Sequence, residues 1–301
     1  MSGQVVGRVP FGEGPVWCDD DTLIICSTAM GSLYRVWPDG AREEVFADLG
    51  GGANGAAPAI DGGFLVCQNG GVDLAEFGIT NGPTCRPVAP GLQHVTADGQ
   101  VRYVVQGGVQ APNDLVTAPD GTVYFTDPPR VRARIADGKM EMIFPDEPIG
   151  RVWKLDHGGE LSLFADSLIF PNGIALDGDG HVVIIEERGL MRLLPDGTRE
   201  WIIEALGPGG GDGFCLDVEG NFYVAATTDA CVRVVDPSGK LIDELPTPHS
   251  EIHQHASNCC FGGADMRTLY CSEMPSRVTR WEKMPIAGQR LTKWAPVVKT
   301  G

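Results

Sequence analysis

Short β-rich runs recur along the chain, and each follows a turn of fixed composition. Phe64-Leu65-Val66, Val123-Tyr124-Phe125, Val182-Val183-Ile184 and Phe222-Tyr223-Val224 come after Asp61-Gly62, Asp120-Gly121, Asp179-Gly180 and Glu219-Gly220. Glycine after an acidic residue suits the left-handed backbone of a tight hairpin, and β-branched and aromatic residues favour a pleated strand. Ahead of each turn stands a shorter mixed segment, such as Leu115-Val116-Thr117-Ala118 or Ile174-Ala175-Leu176. Every such unit predicts a hairpin. Further turn signals at Pro38-Asp39-Gly40, Asp98-Gly99, Pro195-Asp196-Gly197 and Pro237-Ser238-Gly239 lie beside additional strand-like stretches, which extends the unit to four strands.

The units repeat. An amide or carboxylate residue stands seven positions ahead of an acidic one six times: Glu13/Asp20, Asn54/Asp61, Asn113/Asp120, Asn172/Asp179, Asp212/Glu219 and Asn258/Asp265. The leading residues are 41, 59, 59, 40 and 46 positions apart, and a period of this size marks a propeller, solenoid or array. Six four-stranded units predict an all-β fold, a six-bladed β-propeller, with residues 1–301 forming one domain around a central channel. The six leading residues then form a ring at one channel mouth. In an open solenoid they would lie along a line and could not share a ligand.

The chain has 301 residues and a formal net charge of −17, with a pI near 4.6. This excess of acid argues against nucleic acid and anionic membrane as partners, and solubility alone explains it. Nine cysteines, odd in number and without metal-ligand spacing, together with a start lacking a basic and apolar leader, lead us to expect a cytoplasmic protein with free thiols. No apolar run reaches the roughly 20 residues that span a bilayer. The adjacent Cys259-Cys260 read as small core residues.

Glu13, Asn54, Asn113, Asn172, Asp212 and Asn258 together offer two carboxylates and four amides. Asn and Asp often serve only as turn or strand-end caps, which is the plainer reading of any single one. Six in register is a different matter. Buried polar groups cost free energy unless bonded, two converging carboxylates repel, and a divalent cation offsets both. An all-oxygen set favours Ca2+, with Mg2+ and Mn2+ next and Zn2+ or Fe2+ still in range.

The segments Gly12-Glu13-Gly14-Pro15-Val16-Trp17, Pro112-Asn113-Asp114-Leu115, Pro171-Asn172-Gly173-Ile174-Ala175 and Gly211-Asp212-Gly213, followed by Asp217-Val218-Glu219-Gly220-Asn221, resemble the family of gluconolactonases, senescence marker protein and luciferin-regenerating enzyme. Asn258-Cys259-Cys260-Phe261-Gly262-Gly263 with Thr268-Leu269-Tyr270 resembles the last blade of that family, and the resemblance runs in order from about residue 10 to about residue 282. It implies one catalytic divalent metal held by Glu13, Asn172 and Asp212, with Asp212 also the general base and Asn113 near metal and substrate. Relatives acting on sugar lactones often carry an Arg two residues before the residue matched by Asn113. Here Ala111 stands there, so a polyhydroxylated substrate is not the expectation.

The expected chemistry is hydrolysis of a lactone by a metal-activated water, with Asn113, Asn54 and Asn258 touching the substrate. A phosphotriesterase-like or other ester hydrolase is the alternative enzyme, and a non-catalytic metabolite-binding propeller the alternative outside catalysis. His253 and His255 alternate just before Asn258 and offer a pocket base or donor, His255 being the candidate substrate contact; a solvated loop is the plainer account. The 128–148 segment could cover the mouth, with Met140, Met142, Ile143 and Phe144 as an apolar wall and Arg130 or Arg132 meeting an anionic group; an ordinary surface loop explains it as well. Asp127 ends an inner strand and could reach the ring, and the start of the turn before Pro128 is the plainer reading.

Overall fold

The computed structural model describes residues 1–40, 42–71, 85–130, 132–136, 139–143, 145–207, 209–248 and 255–290, with the side chains of 132–142 outside the description. After a short opening strand, β1 (Gln4–Gly7), the chain builds six antiparallel sheets in sequence order. The first sheet comprises β2 (Gly12–Trp17), β3 (Leu23–Ser27), β4 (Ser32–Trp37) and β5 (Arg42–Asp48), and the second β6 (Ala53–Pro58), β7 (Phe64–Gln68), β8 (Gly91–Val95) and β9 (Val101–Gln106). In the third, β10 (Leu115–Thr117) and β11 (Val123–Asp127) are joined to β14 (Gly150–Leu155) and β15 (Leu161–Leu168) across an inserted hairpin, β12 (Arg132–Ala136) and β13 (Lys139–Ile143). The fourth is β16 (Pro171–Leu176), β17 (Val182–Glu186), β18 (Gly189–Leu193) and β19 (Arg199–Ile203), and the fifth β20 (Phe214–Leu216), β21 (Phe222–Ala226), β22 (Cys231–Val235) and β23 (Leu241–Pro246). The sixth has β24 (His255–Gly262), β25 (Thr268–Met274) and β26 (Arg277–Trp281), and takes its outer strand from β1.

The molecule is a six-bladed β-propeller. The first strands of the six blades contact one another in a closed ring, β2 to β6, β10, β16, β20, β24 and back to β2. Closure comes from the start of the chain, since β1 pairs antiparallel with β26 and removes an open edge. The Gly-containing turns lie between the first and second strands as expected, with Gly62, Gly121, Gly180 and Gly220 all at positive φ. No helix occurs among the described residues, and none is long and apolar enough to cross a membrane.

Each second strand is buried on both faces, which explains the continuous apolar runs. Side chains alternate across a strand, so Ile24 and Cys26 of β3 pack toward Phe46, Phe64 and Val66 of the first and second blades. Their neighbours Leu23 and Ile25 pack toward Val278 and Tyr270 of the sixth. In β17, Val182 and Ile184 join the core shared with the third blade, while Val183 and Ile185 join that shared with the fifth. Core thus lies between blades. A cavity of about 200 Å³ is lined by Val16, Ala57, Val116, Ala175, Phe214 and Phe261 from the six first strands.

Candidate active site at the channel mouth

The first strands approach so closely that four of the six ring residues are followed by glycine: Gly14, Gly55, Gly173 and Gly213. Gly55 N–H donates to Asn113 O at 2.6 Å, Gly173 N–H to Asp212 O at 2.9 Å, and Gly213 N–H to Ser257 O at 2.7 Å, each bond running from one blade to the next. A Cβ at Gly173 would stand 2.5 Å from Asp212 O, and one at Gly213 2.1 Å from the Asn258 side chain. Small residues are therefore required where these strands cross. Gly213→Ala is expected to displace Asn258 and lower the melting temperature by several degrees, since overpacking costs about 1–3 kcal/mol; an unchanged melting curve would contradict this close approach.

Acidic residues at the ends of second strands hold the approach to two ring positions. Asp127 is fully buried and accepts from Gln110 N at 2.8 Å, Ala111 N at 2.8 Å and Trp153 Nε1 at 2.9 Å, so it anchors the segment leading to Asn113. It does not reach the ring. In the next blade Glu186 accepts from Ile169 N at 2.6 Å, the same role ahead of Asn172.

The structure brings Glu13, Asp212, Asn172 and Asn258 into one interacting group. Burial pushes the Glu13 carboxyl well above its usual range, and the charges of Asp212 and Asp114 push it the same way. Burial moves the Asp212 pKa up to about 7; the Asn172 amide opposes the shift, and the Asp114 charge adds to it. Asn172 Oδ1 is buried and without a hydrogen-bond partner. Asn54 and Asn113 are half-buried at their ring positions.

Asp114 escapes the repeat pattern, because Asn113 occupies the repeat position beside it. Its side chain is buried in the channel, with Oδ1 accepting from Leu115 N at 2.9 Å and Oδ2 from Asn258 Nδ2 at 3.2 Å. Burial raises its pKa to about 6. A signal was present: position 114 is where four other blades carry glycine, so its side chain enters space that they leave empty.

No cationic side chain is among the groups that shift Glu13, Asp114 or Asp212. Two buried carboxylates, Glu13 and Asp114, the half-buried Asp212 and a partnerless amide oxygen form a hard, anionic donor set, which fits a divalent cation of the Ca2+ type. Glu13, Asn172 and Asp212 are the residues available to hold it. A second acidic group, Asp177, Asp179 and His181, belongs to a hairpin turn. Asp177 there accepts from Arg192 Nε at 2.7 Å and from two turn amides, so its carboxylate is already engaged.

Other candidates are engaged by backbone carbonyls. His255 is half-buried, with Nδ1 bonded to Thr227 O, which directs Nε2 to any further contact. Arg130 is exposed and spans two carbonyls, Asn69 O at 2.8 Å and Gln110 O at 3.3 Å, tying the second blade to the third. His253 and Phe144 lie outside the described residues, as do the side chains of Arg132, Met140 and Met142. The 132–143 part of the supposed cover is the β12–β13 hairpin, and Ile143 in it is exposed. None of the nine cysteines forms a disulfide; Cys259 is buried and Cys260 partly so.

Residues 11–274 match the family model described as the SMP-30/Gluconolactonase/LRE-like region. A gluconolactonase of Zymomonas mobilis is 25% identical over 292 residues, covering 89% of this chain and 77% of that protein. Among solved structures, a gluconolactonase from Xanthomonas campestris superposes with a TM-score of 0.69 at 25% identity, over 91% of this chain and 86% of its own. The calcium-binding protein regucalcin from Agrobacterium tumefaciens shares the fold, with a TM-score of 0.69 at 17% identity over 98% and 97% of the two chains.

Proposed function

Because this chain belongs to the SMP-30/gluconolactonase/LRE-like family, we propose that it is a divalent-metal-dependent lactonase that opens a cyclic ester by hydrolysis at the channel mouth. The observation that carries the reading is the buried, cation-free set of carboxylates beside the partnerless Oδ1 of Asn172. Glu13, Asn172 and Asp212 hold the cation, for which Ca2+ is the first choice. A bound divalent cation supplies Lewis acidity toward an ester carbonyl and lowers the pKa of water at the site.

The chain's own groups account for the rest. Asn113 and Asn54 present amide N–H donors that orient the lactone carbonyl and ring oxygen. Asp212 takes the proton of the attacking water as the oxygen bonds to the carbonyl carbon. The same carboxyl returns that proton to the departing ring oxygen when the acyl–oxygen bond breaks, giving a hydroxy acid. Burial raises the basicity of Asp212, while a cation bound to the same carboxylate would lower it.

Exhaustive chelation is expected to abolish hydrolysis of a simple lactone and to lower the melting temperature. A ligand bound only to the folded state stabilises it by about 2.7 kcal/mol at a hundredfold excess over its dissociation constant. Full activity in protein free of metal by elemental analysis would sink this reading. Aryl esters and phosphotriesters assayed in parallel separate a lactonase from a general ester hydrolase.

Substrate choice follows from Ala111, whose half-buried side chain offers a methyl group and no donor near Asn113. Apolar walls discriminate by only about 1–3 kcal/mol per methylene, whereas sites built for hydroxyl bonding reject analogues lacking them strongly. Alkyl lactones should be opened at least as efficiently as glucono-δ-lactone. A thousandfold preference in kcat/KM for the sugar lactone would place hydroxyl-binding groups elsewhere.

A further inference from the structure

We propose that Asp114 is a positioning residue for the cation site: it fixes the orientation of the Asn258 amide at the channel mouth, and it supplies a third negative charge to the channel. This inference rests on the cation reading above.

The geometry begins with Asn258. Its Nδ2 donates to Asp114 Oδ2 at 3.2 Å, while Oδ1 accepts from Cys259 N at 2.8 Å. Turning the amide over would put its oxygen against the Asp114 carboxylate and strand the Cys259 N–H, so Asp114 fixes a single orientation. The oxygen of this ring residue thereby faces its own strand, and the amide group favours the charged form of Glu13. Asp114 itself is held by the backbone N–H of Leu115 at 2.9 Å. Gly55 gives it room, since a Cβ there would sit 2.3 Å from Asp114 Oδ1.

Asp114 has hydrogen-bond donors but no cationic partner among the groups that shift it, and its charge adds repulsion to Glu13 and Asp212, which makes sense for a group whose charge is used when a cation is present.

The test uses the full chain, stripped of metal, titrated with Ca2+ by calorimetry, with melting curves recorded with and without chelator. Asp114→Asn should weaken Ca2+ binding tenfold or more, yet leave the chelated melting temperature unchanged or higher. The exchange D114N/N258D restores the charge from the opposite blade and should recover part of the affinity. Binding by Asp114→Asn within twofold of the parent would overturn the proposal. So would a lower chelated melting temperature, or failure to fold, with no recovery in the exchanged pair, which marks a structural clamp. A parent chain that binds no Ca2+, Mg2+ or Mn2+ removes the cation reading itself, a result distinct from either.

Discussion

Asp212→Asn is expected to reduce kcat for lactone opening by roughly 10³-fold or more while leaving the propeller folded. The side chains are nearly the same size, so packing at the mouth is kept. What disappears is the proton acceptor, and a positioned general base contributes roughly 10²–10⁴-fold. A cation ligand disappears with it. The chelated variant should melt no lower than the parent, because a desolvated carboxylate facing the Asp114 charge is replaced by a neutral group. Steady-state kinetics on a simple lactone, with circular dichroism as the fold control, decide this. Activity within tenfold of the parent would remove Asp212 from both roles.

Metal-free protein is expected to be more stable near pH 5 than near pH 8, the reverse of a protein whose acids are paired with cations. The sign follows from where these carboxyls titrate. Asp212 titrates near 7 and Asp114 near 6 in the folded chain, both above their unfolded values near 4, and Glu13 is raised as well. Between the unfolded and folded values the native state binds more protons, so the free energy of unfolding falls as pH rises from about 4 to about 7. A tenfold change in a protonation equilibrium is worth about 1.4 kcal/mol, so the loss is on the order of several kcal/mol. Acids held below their usual range, such as Asp120 and Asp177, act outside this window, since their contribution is lost only as pH falls below about 4. Saturating Ca2+ should flatten the trend, because the cation binds the deprotonated ligands and competes with protons. Urea midpoints at pH 5 and pH 8, with and without Ca2+, test it. Higher stability at pH 8 in the chelated protein would show that these carboxylates are not desolvated as the channel implies.

The blades and the ring positions were legible in the amino-acid sequence because they rest on local rules. Short continuous apolar runs, glycines placed for left-handed turns and a recurring polar residue ahead of each turn act over a dozen residues or fewer. They identify the first strand of each blade and hence Glu13, Asn54, Asn113, Asn172, Asp212 and Asn258 without reference to the rest of the chain. Closure by β1 against β26 was not legible, since pairing between Gln4 and Arg280 leaves no periodic mark. Nor was the use of Arg130, whose donors are taken by carbonyls from two blades. Asp127 and Glu186 read as strand ends, and only the fold shows them gripping the backbone ahead of Asn113 and Asn172. Asp114 is the clearest case. Its meaning depends on Asn258, 144 residues away, and on desolvation by six strands converging on one axis. Charge and hydrogen-bond direction are properties of such a convergence, and residue order carries them only once the ring has closed.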